Sequence, residues 1–448
     1  MKTKFFFVLS IACFLFVNCS KTVSLEPEDA VVTLNGRSSS ISAKEAEQLV
    51  LACWDKVYGN NVVTKTGKSG PAIKSIEACY LPLTKASESS SPLAYVVNFQ
   101  DSTGFSVVFA RKGAPSILAI TERGSLSSER LSFELNKMEN AMDDVIEDNT
   151  SQKEEDVVYS LLAHEILCRN SYINTYTVQE DTTHTYQVLS QVRPLIPVKW
   201  GQDYPFNQNM PVMNNLTSNL LRGRAPVGCV VIAAAQMMYI NGHPALQYIA
   251  PDNTISWSMF GWVCPYNDIT RFLPDYYDTG TTSAEKTLMS KLTEVFPVIA
   301  EDCDATYVLD ETLISLSDAL IALQSYDSAY YGNAVIVPLS FYMFELIGML
   351  DYGKPTIIRG APNDMPGQGG HAWVADGYLE VQESTGYGSF SQYLLHFNWG
   401  LYGENDGYYA LGAYSYNGRL FYDAVYDPSI PDQSNDFNYS WSVQYIKY

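Results

Sequence analysis

The sequence is short of the groups on which most signature-bearing enzymes depend. Five histidines serve 448 residues, no HExxH occurs, and no two histidines stand at helical i, i+4 spacing. The three convergent nitrogen, sulfur or oxygen ligands that catalytic zinc requires are therefore not in prospect, and neither a metal nor a cofactor is expected. There is no CxxC, no GxSxG elbow, no P-loop and no GxGxxG ahead of a helix, which removes the usual nucleotide and serine-hydrolase readings. Basic residues are scarce, 28 Lys and Arg against 49 Asp and Glu for a formal net charge of -21, and they form no cluster. A nucleic-acid partner is excluded, because phosphate binding needs a basic stripe. No apolar run reaches the ~18 residues of a membrane-spanning candidate.

What is present is a buried globular chain: 46% hydrophobic, 13% aromatic and only 17% charged. Its length exceeds the roughly 250–300 residues at which single cores stop growing, so it is expected to divide. Lys2 and Lys4 precede an uncharged run from Phe5 to Val17, the pattern of a secretory signal over 1–19. That run ends in Phe16-Val17-Asn18-Cys19-Ser20, which resembles a bacterial lipoprotein box with Cys19 as the acylated residue, although Asn18 replaces the usual small residue. The chain is expected to be exported, either secreted or held at the bacterial cell envelope by this lipid, with no other contact with the membrane.

After a polar spacer over 20–40, a small α+β module is expected over 41–125. Ser42 and Glu45 form a capping-box pattern at the head of a helix, and four short strands follow: SIEACYLPLTK, LAYVVNFQ, GFSVVFAR and SILAITERG. Two helices are expected between Ser127 and Arg169, and residues 126–193 read as a helical and linker segment. The remaining 194–448 has the size of one large domain. Helices are expected over Ala225–Ile240, Ala284–Phe296 and Leu313–Leu323, then strands at Pro355–Ile358, HAWVADGYLE, SQYLLHFNWG and GYYAL, so the class is α+β. The acidic run Glu301–Glu311 lacks the spacing of a calcium loop and reads as a solvated face. Cys53 with Cys79, or Cys264 with Cys303, could pair in an exported protein, but spacing leaves the connectivity open.

One thiol stands out. In RAPVGCVVIAAAQMMY, Cys229 follows Gly228 at the mouth of a small-residue helix. The free N–H groups and positive dipole end of a helix start would favour thiolate there. A cysteine in such a place is more often inert core, so a second group has to change the reading. His371 is that group. It follows Gly369 and Gly370, where backbone can run beside a substrate, and it heads a strand. Its distance along the chain from Cys229 falls within the roughly 130–150 residue interval of papain-like enzymes.

Four blocks in this order, PVKWGQDYPFNQ, PVGCVVIAAAQMMYINGHP, GKPTIIRGAPNDMPGQGGHAWVADGY and LLHFNWGLYGENDGYYAL, resemble the streptopain family of cysteine peptidases. The resemblance implies a papain-like fold, helical half and antiparallel sheet half, preceded by an inhibitory prodomain with its maturation site before Pro194. It makes Cys229 the nucleophile and His371 the base. Gln202 with the Cys229 backbone N–H would form the oxyanion hole, and Trp399 would pack over the imidazole. Asn398 is the alternative orienting residue. Adjacent strand residues point to opposite faces, so only one of Asn398 and Trp399 can meet His371, and Trp399 is favoured. His396, on the Asn398 face, is expected to be structural. Protein or peptide substrates with an apolar P2 residue are implied, as is the chain's own prodomain as an intramolecular inhibitor. The rival class is a noncatalytic surface binding protein on a degenerate peptidase fold; a third reading is another papain-like activity such as transamidation.

Overall fold

A computed structural model of the chain describes residues 40–58, 70–80, 92, 94–110, 116–128, 171–173, 185–214, 216–242, 256–362, 370–385, 388–410, 414–416, 419–421 and 441–448. The signal with Cys19, almost all of the two helices expected between Ser127 and Arg169, and Gly369 lie outside the described residues.

The N-terminal helix α1 (Ala43–Tyr58) forms as its sequence dictates. The Ser42 hydroxyl accepts from the Glu45 backbone N–H at 3.2 Å, and the Glu45 carboxylate accepts from the Ser42 N–H at 2.7 Å, which satisfies two otherwise orphaned donors. Ala46, Leu49, Val50, Cys53 and Trp54 make its buried stripe. Strands β1 (Ile73–Cys79), β2 (Ala94–Phe99), β3 (Phe105–Phe109) and β4 (Ile117–Thr121) follow, each antiparallel to the next. Tyr95, Val97, Phe99 and Val108 pack with α1, whereas Val96, Phe105, Val107 and Phe109 belong to a second core on the opposite face. Both faces being covered explains why these strands read as continuous apolar runs rather than alternating ones.

These strands do not form a sheet of their own. With β5 (Ser171–Ile173), β6 (Thr185–Val192), β7 (Val335–Pro338), β8 (Thr356–Pro362), β9 (His371–Thr385), β10 (Gly388–Asn398), β11 (Gly407–Ala410) and β12 (Trp441–Lys447) they make one twelve-stranded sheet. Its order is β1-β2-β3-β4-β11-β10-β9-β8-β12-β7, with β5 on β10 and β6 on β9. The seam between the N-terminal strands and the rest is β4 against β11, with Ala119 to Thr121 opposite Tyr409 to Gly407.

On one face of β8 and β9 lies α2 (Cys229–Asn241), packed against Ile357, Ala372 and Val374. Around it stand α3 (Ser283–Thr293), α4 (Val295–Asp302) and α5 (Leu316–Tyr326). The opposite face is covered by α6 (Leu339–Asp351), through Leu339, Met343, Leu346, Ile347 and Leu350. Helices first and antiparallel sheet second is the α+β arrangement expected.

Several expectations need correction. The single helix expected over Ala284–Phe296 is two, broken at Glu294; Pro297 has no N–H to donate and sits in the first turn of α4, where none is needed. The segment 126–193, read as helical and linker, contains β6, which has no strong apolar pattern because among TYQVLSQV only Tyr186 is buried. Neither Cys53 with Cys79 nor Cys264 with Cys303 forms a disulfide; the Cys264 thiol donates instead to the Lys199 carbonyl at 3.0 Å. Among the described residues no helix is long and apolar enough to cross a membrane.

Candidate active site

Three local devices fix the position of Cys229. Gly228 caps α2 with φ +94, a conformation that side-chain-bearing residues rarely adopt, and its carbonyl accepts the first helical bond, from Ile232, at 3.1 Å. The Val227 N–H donates to the Gln202 carbonyl at 2.9 Å. The Thr312 hydroxyl donates to the Pro226 carbonyl at 2.7 Å and stands over the glycine, so that a Cβ on Gly228 would lie 3.0 Å from that of Thr312. The sequence suggests that Gly228 allows close backbone approach by a substrate; in the fold Thr312 stands against it.

The Cys229 side chain is half-buried at the start of α2. The backbone N–H groups of Ala372, the residue after His371, and of Val230 lie near its sulfur and favour the anion. Helix-start N–H groups were expected to favour thiolate. They do act in that direction, together with the Arg359 charge, but burial outweighs them and raises the thiol above its ordinary range.

His371 opens β9 opposite Gly360 of β8 and is buried. Its Nε2 lies 2.9 Å from the Trp399 carbonyl oxygen. A carbonyl can only accept, so Nε2 carries the proton and Nδ1 is the basic nitrogen. The ring stacks against Trp399 at 5.9 Å and 28°, and against Trp373 at 6.2 Å and 13°. Burial takes the imidazole down to about 4, with the Trp399 carbonyl opposing. Burial thus works toward the uncharged form of both partners.

Trp399 is itself pinned. Its indole N–H donates to the Asn405 carbonyl at 3.0 Å, and its backbone N–H to Asp406 Oδ1 at 2.8 Å. Asp406 Oδ2 takes the Lys199 ammonium at 2.7 Å, all fully buried. This carboxylate is more than the turn residue that Asn405-Asp406-Gly407 suggested. The network continues to Glu122, just past β4, whose carboxylate lies 3.7 Å from Lys199 and 3.5 Å from His396 Nε2. His396 Nδ1 meets Asp376 at 2.5 Å, in agreement with a structural role.

Asn398 faces away from His371. Its Oδ1 accepts from Gln236 Nε2 and the Gly400 N–H, both at 3.1 Å, and its Nδ2 donates to the Val198 carbonyl at 3.0 Å. The side chain ties β10 to α2 and to Val198, so the contact that orients His371 is the Trp399 backbone carbonyl and not the Asn398 amide. Gln202 is half-buried beside the Cys229 loop, held there through its own carbonyl. Gly370 is exposed with φ +102. Sequence reasoning missed Trp373, for which the His-x-Trp spacing on one strand face was the available signal, and the buried pair Lys199 and Asp406, for which there was none beyond the polar residues themselves. Among the described residues no cluster of three or more His, Cys, Asp or Glu side chains could hold a metal ion.

A family model that matches part of the chain supports a cysteine-type peptidase. The family whose model matches is the Peptidase C10 family, over residues 200–409, a span containing Gln202, Cys229, His371, Asn398 and Trp399. Among solved structures, a prointerpain A fragment from Prevotella intermedia matches with a TM-score of 0.45 and 17% identity, covering 83% of this chain and 98% of that one. No curated protein matches.

Proposed function

We propose that the chain is an exported cysteine endopeptidase made as a zymogen, with Cys229 as nucleophile and His371 as its base. The observation that supports this reading is the packing of α2, which begins at Cys229, on β9, which begins at His371; the Ala372 N–H favours the Cys229 anion, and the imidazole is tethered through Nε2, so Nδ1 is the nitrogen that takes the proton.

In this mechanism His371 Nδ1 takes the thiol proton as sulfur attacks the scissile carbonyl carbon. The carbonyl oxygen becomes an oxyanion, held by the Cys229 backbone N–H and the Gln202 amide. The C–N bond then breaks, the imidazolium returns its proton to the leaving amine, and an acyl-enzyme remains. Water, deprotonated by the same nitrogen, releases the acid product and restores the thiol. The Trp399 carbonyl stays on Nε2 throughout and stabilises the imidazolium.

A half-buried thiol and a buried imidazole, both favoured in their uncharged forms, suit a latent precursor whose cleft is hydrated on maturation. The segment before Pro194 is the proposed maturation site, residues 41–125 the prodomain, and Cys19 the lipid attachment. Protein or peptide chains are the proposed substrates. The test is peptide hydrolysis by the processed chain, with Cys229→Ala and His371→Ala each expected to lose it; full activity in either variant refutes the assignment.

A further inference from the structure

Arg359 lies in the third of the resembling blocks but has no role in the resemblance or in the mechanism above, and the sheet register puts it opposite Ala372. On β8 it stands directly opposite Ala372, whose N–H lies near enough to the Cys229 sulfur to favour its anion. Two residues earlier Ile357 pairs with Val374, and both belong to the core beneath α2. Strand alternation puts Arg359 on that same face, the one α2 covers beginning at Cys229. The groups reaching the sulfur can be named element by element: from β9 the Ala372 N–H, with His371 next to it; from β8 Arg359; from α2 its first backbone N–H groups. The hairpin of Thr306–Val308 with Glu311–Leu313 meets Gly228 through the uncharged Thr312.

We propose that the Arg359 guanidinium is a fixed counter-charge for the Cys229 thiolate, a positioning residue that holds the sulfur anionic at the moment of attack. The inference rests on Cys229 being the nucleophile. Its physical content is that His371 is uncharged at rest and contributes a positive charge only after the proton has moved, whereas a guanidinium is charged throughout. Arg359 is half-buried, so its field acts through protein more than through water and is little screened. Electrostatic coupling between the two groups is felt at both ends: Arg359 favours the Cys229 anion, and Cys229 opposes the lowering that burial imposes on Arg359. Such a device would let the thiolate form although its base is hard to protonate.

The test reads the sulfur directly. The rate of iodoacetamide alkylation at Cys229, followed by peptide mapping, is measured against pH for the processed wild-type chain, Arg359→Gln and Arg359→Lys. Arg359→Gln is expected to move the midpoint upward by about one unit, so that alkylation on the acid limb is about tenfold slower. Arg359→Lys, which keeps the charge, is expected to stay with the wild type. Superimposable profiles for all three overturn the proposal, and so does an equal shift in the lysine variant, which would mark a packing role. Arg359→Met carries the same expectation if the glutamine variant does not fold. Retained peptidase activity in Cys229→Ala would remove the nucleophile reading itself, an outcome distinct from an unshifted midpoint.

Discussion

Raising the pH from 6.5 to 8 is expected to cost the folded chain about 2 kcal/mol through one side chain, His396. Burial alone would drive this imidazole neutral, but Asp376 and then Glu122 more than offset it, and the group is held up at about 9. In the unfolded chain it returns to about 6.5. A pKa raised by folding contributes stability that is complete below the unfolded value and is lost as pH climbs through the folded one, so the window runs from about 6.5 to 9. Within it each pH unit costs about 1.4 kcal/mol, about 3 kcal/mol in all. In the lower part of the window His371, lowered to about 4 in the fold, works in the opposite sense, but returns only about 0.4 kcal/mol between pH 6.5 and 8. Above about 8.5 the cysteines of the unfolded chain begin to titrate, while burial holds Cys53 and Cys303 at about 12 in the fold, which adds a loss of the same sign. The assay is urea unfolding of the full-length Cys229→Ala chain, which cannot process itself under the proposed mechanism, at half-unit steps of pH with and without His396→Asn. A falling midpoint in the parent and a flattened slope in the double variant are expected. A parent chain equally stable at pH 6.5 and 8, or the same slope in both, refutes the reasoning.

Three further outcomes follow from the geometry. Asn398→Ala leaves Gln236 Nε2, the Gly400 N–H and the Val198 carbonyl without their partner, so thermal unfolding is expected to show a loss on the order of 2–4 kcal/mol, with the pH profile of kcat unchanged because Asn398 does not touch His371. Gly228→Ala adds a Cβ against Thr312 at a φ that alanine tolerates poorly; a loss of about 1–3 kcal/mol and a displaced Cys229, seen as altered alkylation kinetics, are expected. Glu122→Gln removes the anion that Lys199 and His396 share across the seam between β4 and β11, and limited proteolysis is expected to release the N-terminal module sooner, reflecting a loss of about 1–3 kcal/mol.

Much of this was legible in the sequence, and what was not has identifiable causes. The capping box of α1, the four strands after it and the order of α2 and β8 to β11 follow from periodicity and turn residues, which are local signals. Helix α6 was not anticipated because LSFYMFELIGMLD is apolar nearly all round and shows no polar face to mark its period. β12, at the C-terminal end, lies between β8 and β7, and long-range pairing of that kind leaves no trace in a local window. The union of the N-terminal strands with the large sheet was invisible for the same reason. At the site, the residue types were readable but their directions were not. Strand alternation separated Asn398 from Trp399, yet the group that orients His371 is a backbone carbonyl, which no side-chain motif can announce. The helix-start argument for a lowered thiol had the right sign for its own contribution; it left out burial, which is set by tertiary packing and is larger.

The Cys229 sulfur is the proposed attacking atom, and the most direct measurement of that role is stoichiometric. The processed chain is titrated with a peptide chloromethyl ketone while activity and adduct position are followed together. One adduct per chain, mapped to Cys229 and rising in proportion to lost peptidase activity, is the predicted result; activity that survives complete modification of Cys229 would contradict it.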